Sequence, residues 1–240
     1  MLDVFVTGTD SGVGKTIISA GLAIIMQSLG YTACIHKPIQ TGGENKNGFL
    51  QAPDIAYIKK LDPFIVTDAT YVFVEKTTPV IASEMENNPV NPYIIKRNYE
   101  KLKRNAEVII TDTEGGLFTP IGVNMSMIDI AKQLNQPVLV VVTAEADMVN
   151  KAILNINAAK SYGLDIAGVI INKFPIYTVD SCLNSAHRLI EEYSDAKVVG
   201  IVPDFGYNTI TAGLLIDNIL NNVDIEALFK IKIPKLSNIQ

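Results

Sequence analysis

Short apolar runs alternate along this chain with longer segments in which apolar residues recur every three to four positions. The runs predict strands at Asp3–Thr7, Tyr31–Lys37, Thr70–Val74, Glu107–Asp112, Pro137–Ala144, Ile166–Asn172 and Lys197–Ile201. Several are continuous rather than alternating. The clearest, Val138-Leu139-Val140-Val141-Val142, predicts a central strand covered on both faces. The longer periodicity predicts helices over Gly14–Leu29, Pro79–Glu86, Pro92–Arg104, Met125–Leu134, Val149–Tyr162, Asp180–Tyr193 and Thr209–Leu228, with Gly30 placed as a helix C-cap. Strand followed by helix, repeated, is the pattern of an α/β protein: a mostly parallel central sheet of about seven strands, with helices on both faces. The stretch Gln40–Ala52 is turn chemistry throughout and is expected to be the mobile loop, and the last dozen residues read as an apolar tail that needs a docking surface. No repeat or low-complexity stretch appears, and residues 1–240 fit one domain with a substantial core.

Composition narrows the class. Hydrophobic residues make up 48% and charged residues 19%, which is ordinary for a globular chain. A net charge of −5 with three scattered arginines, Arg97, Arg104 and Arg188, gives no electrostatic footprint for nucleic acid or an anionic membrane. Two distant cysteines, Cys34 and Cys182, exclude a disulfide framework, and the start lacks the charged and apolar regions of a secretory signal. No apolar run reaches membrane-spanning length, so the expectation is a cytoplasmic protein.

The first candidate chemistry lies between the first strand and the first helix. Gly8-Thr9-Asp10-Ser11-Gly12-Val13-Gly14-Lys15-Thr16 stands where a phosphate-binding loop would. Glycines let the backbone N–H groups turn toward phosphate, and a helix N-terminus adds a favourable dipole. Lys15 is placed for the β- and γ-phosphates and the Thr16 hydroxyl for Mg²⁺. Five residues rather than four separate Gly8 from Gly14, so Thr9 occupies the usual place of the first glycine. The expectation is a P-loop NTPase-like fold that binds a nucleoside triphosphate with magnesium. Asp112, closing the apolar strand Glu107–Asp112, reads either as the carboxylate beside the magnesium or as a strand-end aspartate capping a turn.

Lys37 closes the second strand and precedes Pro38, which holds it extended at the C-terminal edge of the sheet, on the ligand side. Alone it reads as a solvated strand-end lysine. A nucleotide kinase would need a cationic lid, which three dispersed arginines do not supply.

Taken together, these residues resemble the dethiobiotin synthetases of biotin biosynthesis. The resemblance rests on Gly8-Thr9-Asp10 with Val13-Gly14-Lys15-Thr16, on Lys37-Pro38-Ile39-Gln40-Thr41-Gly42, on Pro53-Asp54-Ile55-Ala56 and on Gly115-Gly116-Leu117-Phe118-Thr119-Pro120. It implies a cytoplasmic homodimer, with the active site near the interface, that joins CO₂ to 7,8-diaminopelargonate with ATP and Mg²⁺ and closes a cyclic urea. One amine would form a carbamate, the carbamate would take the γ-phosphoryl group, and the second amine would attack the mixed anhydride. The resemblance makes Lys37 and Lys15 catalytic. It gives the nucleotide to Thr9, Asp10, Gly12, Val13, Gly14, Lys15, Thr16, Asn172 and Pro203, and the metal to Thr16, Asp54 and Asp112. Thr41 and Asn150 would contact substrate. Taken alone, Asp54 is an ordinary acid in the first turn of a helix and Asn172 a turn-forming asparagine. Asn172-Lys173-Phe174-Pro175 lacks the aspartate of the guanine-reading Asn-Lys-x-Asp, which favours adenine.

The chain departs from the family pattern at three places. Glu-Gly-Ala-Gly-Gly is here Asp112-Thr113-Glu114-Gly115-Gly116, which shortens one acid and adds another: Glu114 could ligate metal or face solvent. Ser-Pro-His is Thr78-Pro79-Val80. At the helix start where the family receives the substrate carboxylate, Asp147 would repel it unless turned away, and Lys151 stands near enough to compensate. His36 and His187 read as structural. A regulatory P-loop ATPase switch and the ATP-binding half of an amidotransferase-coupled synthetase are the competing readings; neither cysteine has catalytic company for the latter.

Overall fold

The computed structural model describes residues 2–206 and 210–233. Chain order runs β1 (Leu2–Gly8), α1 (Lys15–Ser28), β2 (Ala33–Gln40), β3 (Glu44–Lys46), β4 (Phe49–Gln51), α2 (Pro53–Leu61), β5 (Val66–Val72), α3 (Pro79–Met85), α4 (Pro92–Leu102) and β6 (Val108–Asp112). It continues with β7 (Pro120–Gly122), β8 (Met125–Ser126), α5 (Met127–Leu134), β9 (Val138–Thr143), α6 (Met148–Ser161), β10 (Ile166–Phe174), α7 (Ser181–Ser194), β11 (Val198–Pro203), α8 (Ala212–Asn222) and α9 (Ile225–Phe229).

Among the described residues, seven strands form one sheet in the order β11-β10-β9-β1-β6-β2-β5, and every pairing in it is parallel. The continuous apolar runs are explained by two cores, one on each face. On β9, Val138, Val140 and Val142 enter one core, and Leu139 and Val141 enter the other. On β1, Phe5 points to the first core while Val4 and Val6 point to the second. Helices α3 to α7 cover the first face and α1, α2, α8 and α9 the second. A strand buried on both sides has no polar face to alternate with.

Several expected boundaries move, each for a local reason. The expected strand Thr70–Val74 is β5, Val66–Val72, an edge strand whose half-buried Thr67, Asp68 and Thr70 hide its start in a polar stretch. Strand β2 begins at Ala33 rather than Tyr31 and runs through Pro38 to Gln40. Its pairing with β6 ends at His36, and its register with β5 passes over Pro38, which has no N–H to donate, between Lys37–Ala69 and Ile39–Tyr71. The stretch expected as a loop is a hairpin: β3 and β4 pair antiparallel around Asn47 (φ 55°) and Gly48 (φ 83°), the two positive-φ positions that a two-residue hairpin turn requires. Helix α2, not expected as an element in its own right, starts on Pro53.

The single helix expected over Thr209–Leu228 is two. Val223 forms a bridge to Gly200 that interrupts it, and Asp224 restarts the chain as the N-cap of α9 by accepting from Ala227 N at 2.9 Å. Thr209 and most of the apolar tail, residues 234–240, lie outside the described residues.

Candidate functional site

The site forms at the carboxyl ends of β1, β2 and β6, where an open α/β sheet places its ligands. The chain leaves β1 at Gly8 and re-enters regular structure at Lys15, with Gly14 at φ 95° as the N-cap of α1. Gly116 packs so close under this loop that a Cβ on it would lie 2.9 Å from the Gly8 carbonyl oxygen, a contact with backbone that cannot yield. Strand β10 holds the loop from the other side. Asn172 Nδ2 donates to Val13 O at 2.8 Å, and Lys173 Nζ donates to Gly12 O at 2.8 Å from a residue in the left-handed region (φ 54°).

A compact charge cluster lies beside the loop. Lys37 lies within β2, three residues before its end rather than closing it, and is buried, with Nζ 2.5 Å from Asp54 Oδ2 and 2.9 Å from Asp112 Oδ2. The Thr16 hydroxyl donates toward the same two oxygens, at 3.2 and 2.9 Å. Ser19 Oγ reaches the other oxygen of Asp112 at 3.4 Å. Burial works against the Lys37 ammonium, but Asp112 first, then Asp54 and Glu114, outweigh it and hold its pKa above the usual lysine range. A buried cation requires such pairing, because removing its partners leaves an uncompensated charge. Lys15 is also buried and curls onto the loop, donating to Asp10 O at 3.3 Å. Burial lowers its pKa, with Asp112 opposing.

Glu114 sits across from this cluster. Its Oε2 accepts from Gln40 Nε2 at 3.2 Å and its Oε1 from Thr41 Oγ1 at 3.3 Å. Gln40 Oε1 in turn accepts from Asp54 N at 3.3 Å. Burial raises the pKa of Glu114, while Lys37 opposes the rise. These groups border a cavity of about 510 Å³ lined by Ser11, Gly12, Gly14, Lys15, Thr16, Ile17, Lys37, Gln40, Asp54, Thr113, Glu114, Gly115 and Lys173. Three ammonium groups and a loop of backbone N–H groups suit it to polyphosphate.

Of the residues expected from the sequence, Gly12, Gly14, Lys15, Thr16, Lys37 and Asp54 line this cavity, and Asp112 is fully buried directly beneath Lys37. Thr41 stands at the rim through Glu114. Thr9 is half-buried within the loop, and Val13 is buried. Asp10 is exposed and turns to helix α6, where Lys151 Nζ lies 2.8 Å from its Oδ2 and 3.1 Å from Asp147 Oδ2. Like Thr9, Asp10, Val13, Thr41 and Asp112, three further expected residues lie outside the cavity lining. Asn172 is fully buried with its amide on the P-loop, Pro203 is half-buried at the end of β11, and Asn150 is exposed in the first turn of α6. Sequence reasoning passed over Gln40 and Ser19. Gln40 could have been found from its place at the carboxyl end of β2, three residues after Lys37; Ser19 could have been found one helical turn after Thr16.

The geometry has counterparts in known proteins. The family described as an AAA domain matches residues 3–207. The chain is 30% identical over 202 residues to the ATP-dependent dethiobiotin synthetase BioD of Akkermansia muciniphila, covering 83% of this chain and 91% of that protein. It is 34% identical over 175 residues to the protein of the same name from Fusobacterium nucleatum, covering 72% of this chain and 79% of that one. In fold it is similar to the cell division ATPase MinD of Pyrococcus furiosus, with a TM-score of 0.61, 15% identity, and coverage of 96% and 99%. The MinD cell division protein of Aquifex aeolicus superposes with a TM-score of 0.58 at 15% identity, covering 96% of both chains. At that identity the likeness speaks for the fold alone, whereas the sequence match to the first of these relatives covers most of both chains. The chain therefore belongs to the dethiobiotin synthetase family.

Proposed function

We propose that this chain is an ATP-dependent cyclo-ligase that carboxylates 7,8-diaminopelargonate with CO₂ and closes the cyclic urea dethiobiotin. The observation that carries the reading is the convergence of Lys37 Nζ and Thr16 Oγ1, each 2.9 Å away, on Asp112 Oδ2. It brings a cation on β2 to the hydroxyl that follows the P-loop lysine, at the place where a transferring phosphoryl group and a carbamate would meet.

Residues 1–240 act as one P-loop domain in this reading. The loop backbone from Thr9 to Gly14, with Asp10, Gly12 and Val13, and the Lys15 ammonium hold the ATP phosphates; Asn172 serves the nucleotide by bracing the loop at Val13 O, and Pro203 lies on the adenine side. Thr16, Asp54 and Asp112 form a hard-oxygen set suited to magnesium, which prefers few carboxylates with phosphate and water. Bound there, magnesium supplies positive charge against the phosphate oxygens. Lys37 and Lys15 neutralise the repulsion between two anions, the carbamate and the γ-phosphate, and so hold the reacting atoms together.

A carbamate oxygen attacks the γ-phosphorus and ADP departs. The second amine then attacks the carbonyl carbon of the anhydride, phosphate leaves, and the amine loses a proton as the ring closes. Thr41 contacts the substrate near this end. Asn150 on α6 receives the distal carboxylate across a homodimer interface, with the active site near that interface. Among the described residues no helix is long and apolar enough to cross a membrane, and the reading places the enzyme in the cytoplasm with no nucleic-acid partner.

The test is incubation of the purified protein with diaminopelargonate, bicarbonate and MgATP. Dethiobiotin by mass and an equal amount of ADP are expected; ADP formed without the diamine would contradict the reading.

A further inference from the structure

One acid in the cavity acts on the lysines only at a distance, without a close ion pair to any of them among the described residues. Asp54 and Asp112 both turn an oxygen to Lys37 and Thr16. Glu114 lines the same cavity, and its two oxygens are held instead by the Gln40 amide and the Thr41 hydroxyl. Among the described residues the close ion pairs of this cavity join Lys37 to Asp54 and to Asp112, and Glu114 takes part in neither. A carboxylate offers about four acceptor positions, of which these two neutral donors use two. Glu114 is half-buried, so a cation reaching it is partly shielded from water, where attraction is stronger than at an open surface.

The charges around it define what it attracts. Apart from Glu114 the lining carries three lysines, Lys15, Lys37 and Lys173, against one carboxylate, Asp54, a balance that suits phosphate and carbamate and disfavours an amine carrying a proton. A diamine arrives largely as ammonium. It therefore needs an acid that the cation cluster has not taken, placed near Lys37 because its carbamate must form there. Gln40 follows Lys37 by three residues on the same strand end, and it grips Glu114 on one side and the Asp54 backbone on the other.

We propose that Glu114, oriented by Gln40 and Thr41, is a specificity-determining residue that receives an amino group of a diamine substrate as its ammonium. The proposal rests on the cyclo-ligase reading and adds to it the group that selects an amine-bearing chain over an equally long acid without amines. Gln40 and Thr41 are its positioning residues.

The experiment compares equilibrium binding of diaminopelargonate and of nonanoate, the same acid without amines, to the full chain by calorimetry. Wild type, Glu114→Gln and Glu114→Asp are measured, with the urea midpoint as the check on folding. The wild type should prefer the diamine by roughly tenfold or more, the preference should fall to within about threefold in Glu114→Gln, and Glu114→Asp should retain most of it. Both variants should unfold in a single transition with the wild-type m-value. Should the glutamine variant fail to fold, Glu114→Ala is judged by the same ratio. An unchanged preference in Glu114→Gln overturns the assignment, and dethiobiotin formation by the wild type would then leave the function standing. No amine preference in the wild type also overturns it; only the further absence of dethiobiotin formation overturns the function.

Discussion

Lys37 Nζ stands 2.5 Å from Asp54 Oδ2, on the oxygen that the Thr16 hydroxyl also reaches. The ammonium and the Thr16 hydroxyl thus share the two carboxylate oxygens that the family resemblance gives to magnesium. Lys37 and a bound metal would draw on the same two acids. Removing the ammonium should favour the metal. In the nucleotide-free protein, Lys37→Met should bind Mn²⁺ at least about tenfold more tightly than the wild type, as read by paramagnetic resonance, while losing turnover. Equal or weaker Mn²⁺ binding in the variant would show that the two cations occupy different places.

The P-loop residues should divide by role. Lys15→Ala should abolish turnover and weaken ATP binding, because a buried ammonium over the loop is lost where phosphate charge concentrates. Thr16→Val should keep ATP binding but raise the magnesium concentration needed for half-maximal rate. Full activity in Lys15→Ala would sink the P-loop reading.

Helix α6 carries the departure at Asp147, and the structure supplies its compensation. Lys151 joins Asp147 and Asp10 in a single bridge, at 3.1 and 2.8 Å, and these two contacts hold its pKa above the ordinary lysine value. A substrate carboxylate approaching Asn150 then meets an aspartate whose charge is partly offset by an ammonium it shares with Asp10 and Glu145. Lys151→Ala should raise the KM for the diamine by about threefold to fivefold, as befits an exposed ion pair, with kcat little changed. Asp147→Gly in the same chain should restore the KM. A double variant no better than Lys151→Ala would mean that Asp147 does not face the substrate.

His36 sets an acid limit on stability. It is fully buried on β2, with Thr70 Oγ1 3.3 Å from its Nε2 and Asp68 Oδ2 3.7 Å away, and the Tyr99 ring beside it on α4. Burial dominates and pushes its pKa down from 6.5 to about 3, so the ring is neutral and its neighbours act as hydrogen-bond partners. Between those values the unfolded chain binds the proton and the folded one does not. Stability is therefore complete above pH 6.5 and falls as pH drops below it, by up to about 1.4 kcal/mol per pH unit. Asp68, whose pKa burial raises, works in the opposite sense toward the acid end. Urea midpoints between pH 7 and about 4.5 should fall less steeply in His36→Gln than in the wild type; parallel slopes would contradict the assignment.

What the sequence made legible follows from how locally each feature is specified. The P-loop is read from one contiguous run, and β9 from five consecutive apolar residues, so both stand where expected. Strand β5 was displaced because an edge strand with Asp68 and Thr70 carries no apolar run to mark its start. The Asn47-Gly48 turn was present in the residues but was masked by the polar residues around it, which suggest a loop as readily as a short hairpin. At the site, Lys37, Asp54 and Asp112 lie on three separate elements. Their meeting depends on the strand order β6-β2-β5, which no local pattern encodes. That Gln40 and Thr41 hold Glu114 was not legible for the same reason, since 74 and 73 residues separate it from them.

The central claim is that Lys37, Lys15 and the Thr16–Asp112 pair bring a carbamate onto the γ-phosphate. Isotope transfer tests it most directly. With bicarbonate labelled in carbon and oxygen, a carbamate oxygen that attacks phosphorus must leave with the phosphate when the second amine closes the ring. The account requires one labelled oxygen from bicarbonate in the phosphate for each labelled carbon in the product, measured by mass before the label exchanges with water. Phosphate carrying oxygen from water alone, released at the same rate with or without diamine, would show an ATPase and contradict it.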